Sequence, residues 1–182
     1  EAIGLALPNS AGAPAPYESR DAYAEASGKA VMSLIEHNLR PRDIVTRKAL
    51  ENAATVVAAT GGSTNAGLHL PAMAHEAGID FDLLEVAEIF KKTPYIADLK
   101  PGGQYVAKDM YEAGGVPMLL KTLLEGGYLH GDCKTVTGKS LGDNLEEITF
   151  NPDQKVIYSV TNPLSPTGGV VGLTGSLAPD GA

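Results

Sequence analysis

The sequence predicts an α/β fold, helical up to about residue 130 and built of strand and turn beyond it. Three observations predict it. Apolar residues recur at helical spacing in successive segments as far as Glu125. After Gly126-Gly127 that spacing gives way to β-type runs, Lys134-Thr135-Val136-Thr137, Lys155 to Val160 and Gly169 to Thr174. Glycine pairs and prolines separate the segments, as turns do in a compact domain.

The elements follow in order. Residues 5–20 are rich in Ala, Pro, Gly and Ser and read as loop. Asp21 to Leu39 carries Ala30, Val31, Leu34 and Ile35 on one helical stripe, and Arg40-Pro41 ends it because the residue before proline avoids the α region. Thr46 caps a second helix, Arg47 to Ala59, which stops at Gly61-Gly62. A third runs from near Thr64 to Glu76, with Gly78 as its stop. Asp82 and Glu85 have the spacing of a capping box for Leu83 to Lys91. Ile96 to Leu99 is a brief strand before the Lys100-Pro101-Gly102-Gly103 turn. Tyr105 to Glu112 and Val116 to Glu125 are two more helices parted by Gly114-Gly115, and Ser140 to Glu147 is a short one. Linker composition appears at Pro163 to Gly168.

Composition narrows the function classes. Of 182 residues, 43% are apolar and 20% charged, which places the chain among globular proteins. A net charge of -8 with no basic cluster excludes a nucleic-acid partner. No apolar run approaches the roughly 18 residues that span a bilayer, so the expectation is no membrane partner and a cytoplasmic location. Cys133 is the single cysteine, so by itself it can form no internal disulfide and hold no zinc or iron–sulfur cluster. The chain opens on Glu1-Ala2-Ile3-Gly4 without an initiator Met and stops on a turn, Ala178 to Ala182, so it reads as an internal piece of a longer protein.

The motifs give few chemical leads. Thr137-Gly138-Lys139-Ser140 has the tail of a phosphate-binding loop, but position 133 is Cys where that loop needs Gly, so Lys139 and Ser140 open the short helix instead. His69 and His75 are six apart, about 240 degrees round a helix, and cannot share one metal. The acidic residues form no pair at a spacing that marks acid–base partners. One stretch remains, Ala59-Thr60-Gly61-Gly62-Ser63-Thr64-Asn65-Ala66. It reads either as a capped helix start or as a cradle for a carboxylate or phosphate, since glycines admit a ligand to the backbone and helix N-termini favour anions.

That stretch, with Arg40 to Thr46 and Leu68-His69-Leu70, resembles the central region of the dihydroxy-acid and sugar-acid dehydratase family. So do Pro94-Tyr95-Ile96-Ala97-Asp98-Leu99-Lys100-Pro101-Gly102-Gly103 and Glu112-Ala113-Gly114-Gly115-Val116-Pro117. His130 to Lys139 looks most like the dihydroxy-acid branch, while Pro166 to Gly169 and Gly175 to Gly181 match the entry into the family's second domain. The resemblance covers essentially the whole chain in order.

It implies the C-terminal half of the family's N-terminal α/β domain over residues 1–165, running into the start of a C-terminal β-barrel domain at 166–182. It implies dehydration of 2,3-dihydroxy acids to 2-oxo acids in branched-chain amino-acid synthesis, by a homodimer or homotetramer. In the family, the iron of an iron–sulfur cluster polarises the leaving hydroxyl, a magnesium ion assists, and a deprotonated serine takes the C2 proton. The ligands of both cofactors and the serine are expected outside this segment, so metal and catalytic residues here are none and the isolated chain is expected to be inactive. The resemblance places Gly61, Gly62, Ser63, Thr64 and Asn65 at the wall of the substrate site. Two alternatives stand beside it: an aldonate or phosphogluconate dehydratase of the same family, and a non-catalytic scaffold on the same fold.

Overall fold

The computed structural model describes residues 1–182, and it is helix-rich. Eight helices occur in the order α1 (Ser19–Glu36), α2 (Pro41–Ile44), α3 (Arg47–Thr60), α4 (Ala66–Ala77), α5 (Leu83–Lys92), α6 (Ala107–Glu112), α7 (Gly115–Glu125) and α8 (Leu141–Leu145).

Their ends are set by local chemistry. Thr46 Oγ1 accepts the Ala49 N–H at 3.2 Å and starts α3, which closes on Gly61 at φ 59°. Asp82 and Glu85 form the reciprocal capping box that the spacing predicts, at 2.8 and 3.0 Å. Ser140 and Asp143 repeat it at the start of α8, so the Gly138-Lys139-Ser140 stretch is a helix start and not a phosphate loop. Gly78, at φ 73°, ends α4. Some boundaries differ from expectation: α1 runs from Ser19 to Glu36, α6 begins at Ala107, and Arg40 is followed at once by the short α2, with Pro41 at its first position and Asp43 accepting from the Arg40 N–H.

Helix α3 is the centre of the fold. Ala49, Leu50, Ala53, Ala54, Ala58 and Ala59 are all buried on it, and so many small side chains let neighbours approach closely. It packs on α4 and α5, while α7 packs on α6 and α8. Val86 and Phe90 of α5, Met118, Leu119 and Leu123 of α7, and Ile96 complete one apolar core. Helix α1 fully buries none of its residues: Ala30 and Leu34 are half-buried, while Val31 is 53% exposed, Met32 58% and Ile35 67%.

The stretches read as strands pair only through single bridges. Tyr95 bridges Ser165, Ala97 bridges Ile157 and Lys134 bridges Ser140, all antiparallel, and Gly175 bridges Ala178. The reason lies in where their backbone donors go. Ile96 and Ala97 both donate to the Ala59 carbonyl at the end of α3, and Val156 and Ile157 both donate to Gln154 Oε1. The groups a ladder would use are already satisfied by a helix end and a side chain. The arrangement is consistent with part of an α/β domain.

The segment after Pro163 straps back over α3 and α5. Leu164 N–H donates to the Tyr95 carbonyl at 2.9 Å, Gly168 N–H to Phe90 at 2.9 Å and Gly169 N–H to Ala58 at 2.8 Å. Beyond it, Leu173 and Ala182 exchange two backbone bonds of 2.8 Å.

Candidate functional site

The 61–65 loop joins the C-terminus of α3 to the N-terminus of α4. Gly61 turns the chain in the left-handed region, and Gly62 N–H returns to the Val57 carbonyl at 3.1 Å. Ser63 Oγ accepts the Asn65 N–H at 3.2 Å, an ST turn that leads into α4. The carbonyls of Ser63, Thr64 and Asn65 are taken by the next turn, whereas the backbone N–H groups of Ser63 and Thr64 bond nothing in the protein. Residues 62–65 are exposed. The loop is therefore a helix start, as one reading of the sequence has it, and it leaves two free amides and two free side chains beside them, as the other requires.

Three segments meet at the α3 end of this loop. Tyr95 packs against Gly61: a side-chain carbon at Gly61 would sit 3.1 Å from the Tyr95 ring and 3.5 Å from its hydroxyl. Gly169 comes in from the strap, where such a carbon would lie 2.6 Å from Gly61 Cα. Gly102 faces the Tyr95 hydroxyl at 3.4 Å by the same measure. Gly169 is the position that needs glycine, since an added carbon there would clash with the Gly61 backbone, while Gly61 and Gly102 meet the Tyr95 side chain at closer and ordinary contact respectively.

Behind Tyr95 the chain folds into a closed turn on Asp98. The Asp98 carboxylate is buried and accepts Gln104 N–H at 3.0 Å and Gln104 Nε2 at 3.1 Å. Gly103 has to be glycine, because a side-chain carbon there would sit 2.3 Å from Asp98 Oδ1. Burial, and then the negative charge of Asp98, push the Tyr95 phenol above its ordinary range. Tyr95 stays a neutral donor at any physiological pH.

A second polar group pins the 130–133 loop to the first half of α3. Asn52, fully buried, donates to the His130 carbonyl at 3.0 Å and to Cys133 Sγ at 3.6 Å, and accepts the His130 N–H at 2.8 Å. His130 Nε2 lies 2.7 Å from Glu51, which also takes Arg47 Nε at 2.8 Å. Lys48 pairs with Asp132 at 2.6 Å. These contacts hold the 130–133 loop against α3.

No set of side chains within this chain could by itself hold an iron–sulfur cluster or a magnesium ion. Cys133 is buried, its thiol is pushed up by burial and then by Asp132, and its sulfur already takes an amide donor. No three His, Cys, Asp or Glu side chains are grouped closely enough to hold a metal. His69 and His75, both on α4, are exposed and belong to no such group.

Gly61 to Asn65 form one continuous loop, half-buried at Gly61 and exposed from Gly62 to Asn65. Tyr95 and Asp98 lie in the Pro94 to Gly103 stretch; Asp98 stands beside turn residues, whereas no local pattern marks Tyr95. Their place beside Gly61 comes from the strap and the α3 terminus.

A profile of the dihydroxy-acid/6-phosphogluconate dehydratase N-terminal region matches residues 1–144. A dihydroxy-acid dehydratase of Parvibaculum lavamentivorans is 81% identical over 182 residues, the whole of this chain and 32% of the relative. One from Pelagibacter ubique is 74% identical over 177 residues, 97% of this chain and 31% of the relative. One from Acidothermus cellulolyticus is 52% identical over 183 aligned positions, covering the whole of this chain and 33% of the relative. The chain spans about a third of the length of these curated relatives.

Proposed function

Because this chain belongs to the dihydroxy-acid/6-phosphogluconate dehydratase family, we propose that it forms the middle of a hydro-lyase. That enzyme dehydrates 2,3-dihydroxy acids of the 2,3-dihydroxy-isovalerate type to 2-oxo acids, a step of valine, isoleucine and leucine synthesis. The observation that carries the reading is the 81% identity, over all 182 residues, to a protein named dihydroxy-acid dehydratase. A sugar-acid dehydratase is the second reading, supported by the breadth of the family profile. A panel of 2,3-dihydroxy-isovalerate, aldonates and phosphogluconate, offered to the protein at its relatives' length, separates the two. Turnover of the aldonates or phosphogluconate alone would reject the first reading.

In this proposal residues 1–165 belong to the N-terminal α/β domain and 166–182 begin a β-barrel domain. An iron–sulfur cluster and Mg2+ belong to the whole enzyme, held by residues beyond those described here. The contribution of this chain is a wall of the substrate site. Gly61 and Gly62 bring the backbone close, and the free N–H groups of Ser63 and Thr64, their hydroxyls and the Asn65 amide supply donors at the positive end of α4. Such groups suit the carboxylate of the acid. Replacing Ser63, Thr64 or Asn65 by alanine is expected to raise KM roughly tenfold, the size of one lost hydrogen bond to a charged group. Unchanged kinetics in all three variants would reject the wall.

The exposed Val31, Met32 and Ile35 of α1, with Leu68 of α4 71% exposed, support a homodimer or homotetramer as the working form. No helix is long and apolar enough to cross a membrane, and a cytoplasmic enzyme of small-molecule metabolism is the proposed setting.

A further inference from the structure

We infer that Tyr95 is a substrate-orienting residue whose phenolic hydroxyl donates a hydrogen bond to an oxygen of the bound hydroxy acid. This rests on the 61–65 loop being a wall of that site.

The argument starts from what the ring needs and what the hydroxyl lacks. Tyr95 is gripped on its backbone: its N–H donates to Ser165 at 2.9 Å and its carbonyl accepts from Leu164 at 2.9 Å. The neighbouring Ile96 is tied to Ala59 at the end of α3. The ring then lies on Gly61, with Gly169 at 3.1 Å from Cδ2 and Gly102 at 3.4 Å from the hydroxyl, each measured from the side-chain carbon the glycine lacks. Such a ring cannot swing to meet a ligand, so its hydroxyl is fixed before the ligand arrives. Preset donors bind without a further entropy cost.

Packing alone does not call for the oxygen. A phenylalanine would fill the same space between the three glycines, and a tyrosine in a packed setting normally finds its hydroxyl a partner. Here the hydroxyl donates to no acceptor in the structure. Nor is it sealed away, for the one buried side-chain polar atom without a partner is Asn9 Oδ1. The nearest carboxylate, Asp98, has its two oxygens taken by Gln104 and does not accept from it. Its charge instead helps keep the phenol protonated. What remains is a donor on a half-buried, packed side chain, against the first residue of a loop with two free amides.

The test is Tyr95→Phe in the protein produced at its relatives' length, with 2,3-dihydroxy-isovalerate as substrate and Ser63→Ala and Thr64→Ala run beside it. The expected result is a KM raised about three- to tenfold, the size of one neutral hydrogen bond, with kcat within twofold and visible cluster absorbance unchanged. A KM within twofold of the parent, or a fall in kcat with KM unchanged, overturns the role. If the variant proves less stable, binding is read from the rise in thermal midpoint that saturating substrate produces. A smaller rise than in the parent supports the contact, and an equal one overturns it. Should the two loop variants raise KM while Tyr95→Phe does not, the loop reading stands and this inference alone fails. Should none of the three raise it, both fail.

Discussion

Asn52 and His130 are bonded to each other twice: Asn52 Oδ1 accepts the His130 N–H at 2.8 Å, and Asn52 Nδ2 donates to the His130 carbonyl at 3.0 Å. A side chain on a helix thereby does for a loop what a neighbouring strand would do. The residues are 78 positions apart, and the pair joins the first half of α3 to the segment after α7.

Replacing Asn52 by alanine removes both bonds and leaves a fully buried gap. The cost follows from the unsatisfied groups, discounted because His130 itself is partly exposed. Loss of about 2–3 kcal/mol of unfolding free energy is expected, measured by urea denaturation. A change below about 0.5 kcal/mol, the scatter of surface substitutions, would contradict the structural weight given to this pair.

Gly169 is where the strap presses on the backbone of the 61–65 loop. Its side-chain position lies 2.6 Å from Gly61 Cα and 3.0 Å from Gly61 N, and backbone cannot move aside as a flexible side chain does. Gly169→Ala is expected to cost about 1–3 kcal/mol by overpacking and to raise KM together with it, because the 61–65 loop is displaced. Thermal unfolding and steady-state kinetics on one preparation check both. An unshifted midpoint would show that the strap does not press on Gly61.

Acid sensitivity follows from paired carboxylates. The hydrogen bond from Arg47 to Glu85, at 2.7 Å, and then the Asp82 backbone, hold the Glu85 carboxyl below its ordinary range. A depressed folded value means the stabilisation is complete above the ordinary glutamate value, about 4.3, and is lost as pH falls from there through the folded value. Glu85→Gln is expected to flatten the loss of stability below about pH 4.3 and to leave its slope near pH 7 alone. The pair is well exposed, so the effect is small and fades in high salt. Denaturation midpoints at pH 3 to 7 measure it, and an unaltered acid limb would rule out the Arg47–Glu85 contact as its source.

The chain of 182 residues expressed alone is expected to show no dehydratase turnover and no iron–sulfur absorbance. Its one thiol is buried and bonded to Asn52, and no acidic or histidine group gathers into a metal site. Visible spectroscopy after anaerobic reconstitution, with a 2-oxo acid assay, is the check. A stable cluster spectrum would overturn it.

What could be read from the sequence is what depends on near neighbours along the chain. Thr46, Asp82, Ser140, Gly61 and Gly78 mark helix ends by bonds that reach three or four residues, so the pattern alone places α3, α4, α5 and α8. The loop Gly61 to Asn65 stood out for the same reason, its glycines and hydroxyls being contiguous. The expected strands were less legible. Val156, Ile157 and Ile96 have β-type side chains, but pairing is decided by which carbonyls lie opposite, and here the end of α3 and Gln154 take the donors first.

The sequence by itself determined the family, the run of helices and the one loop rich in donors. Only the tertiary structure decided that Gly61, Gly102 and Gly169 close around Tyr95, and that Val31, Met32 and Ile35 of α1 stay exposed. The physical reason is one of range. Caps and turns are settled by bonds between residues a few positions apart, whereas contact between distant segments depends on the shape that all the packed helices leave between them.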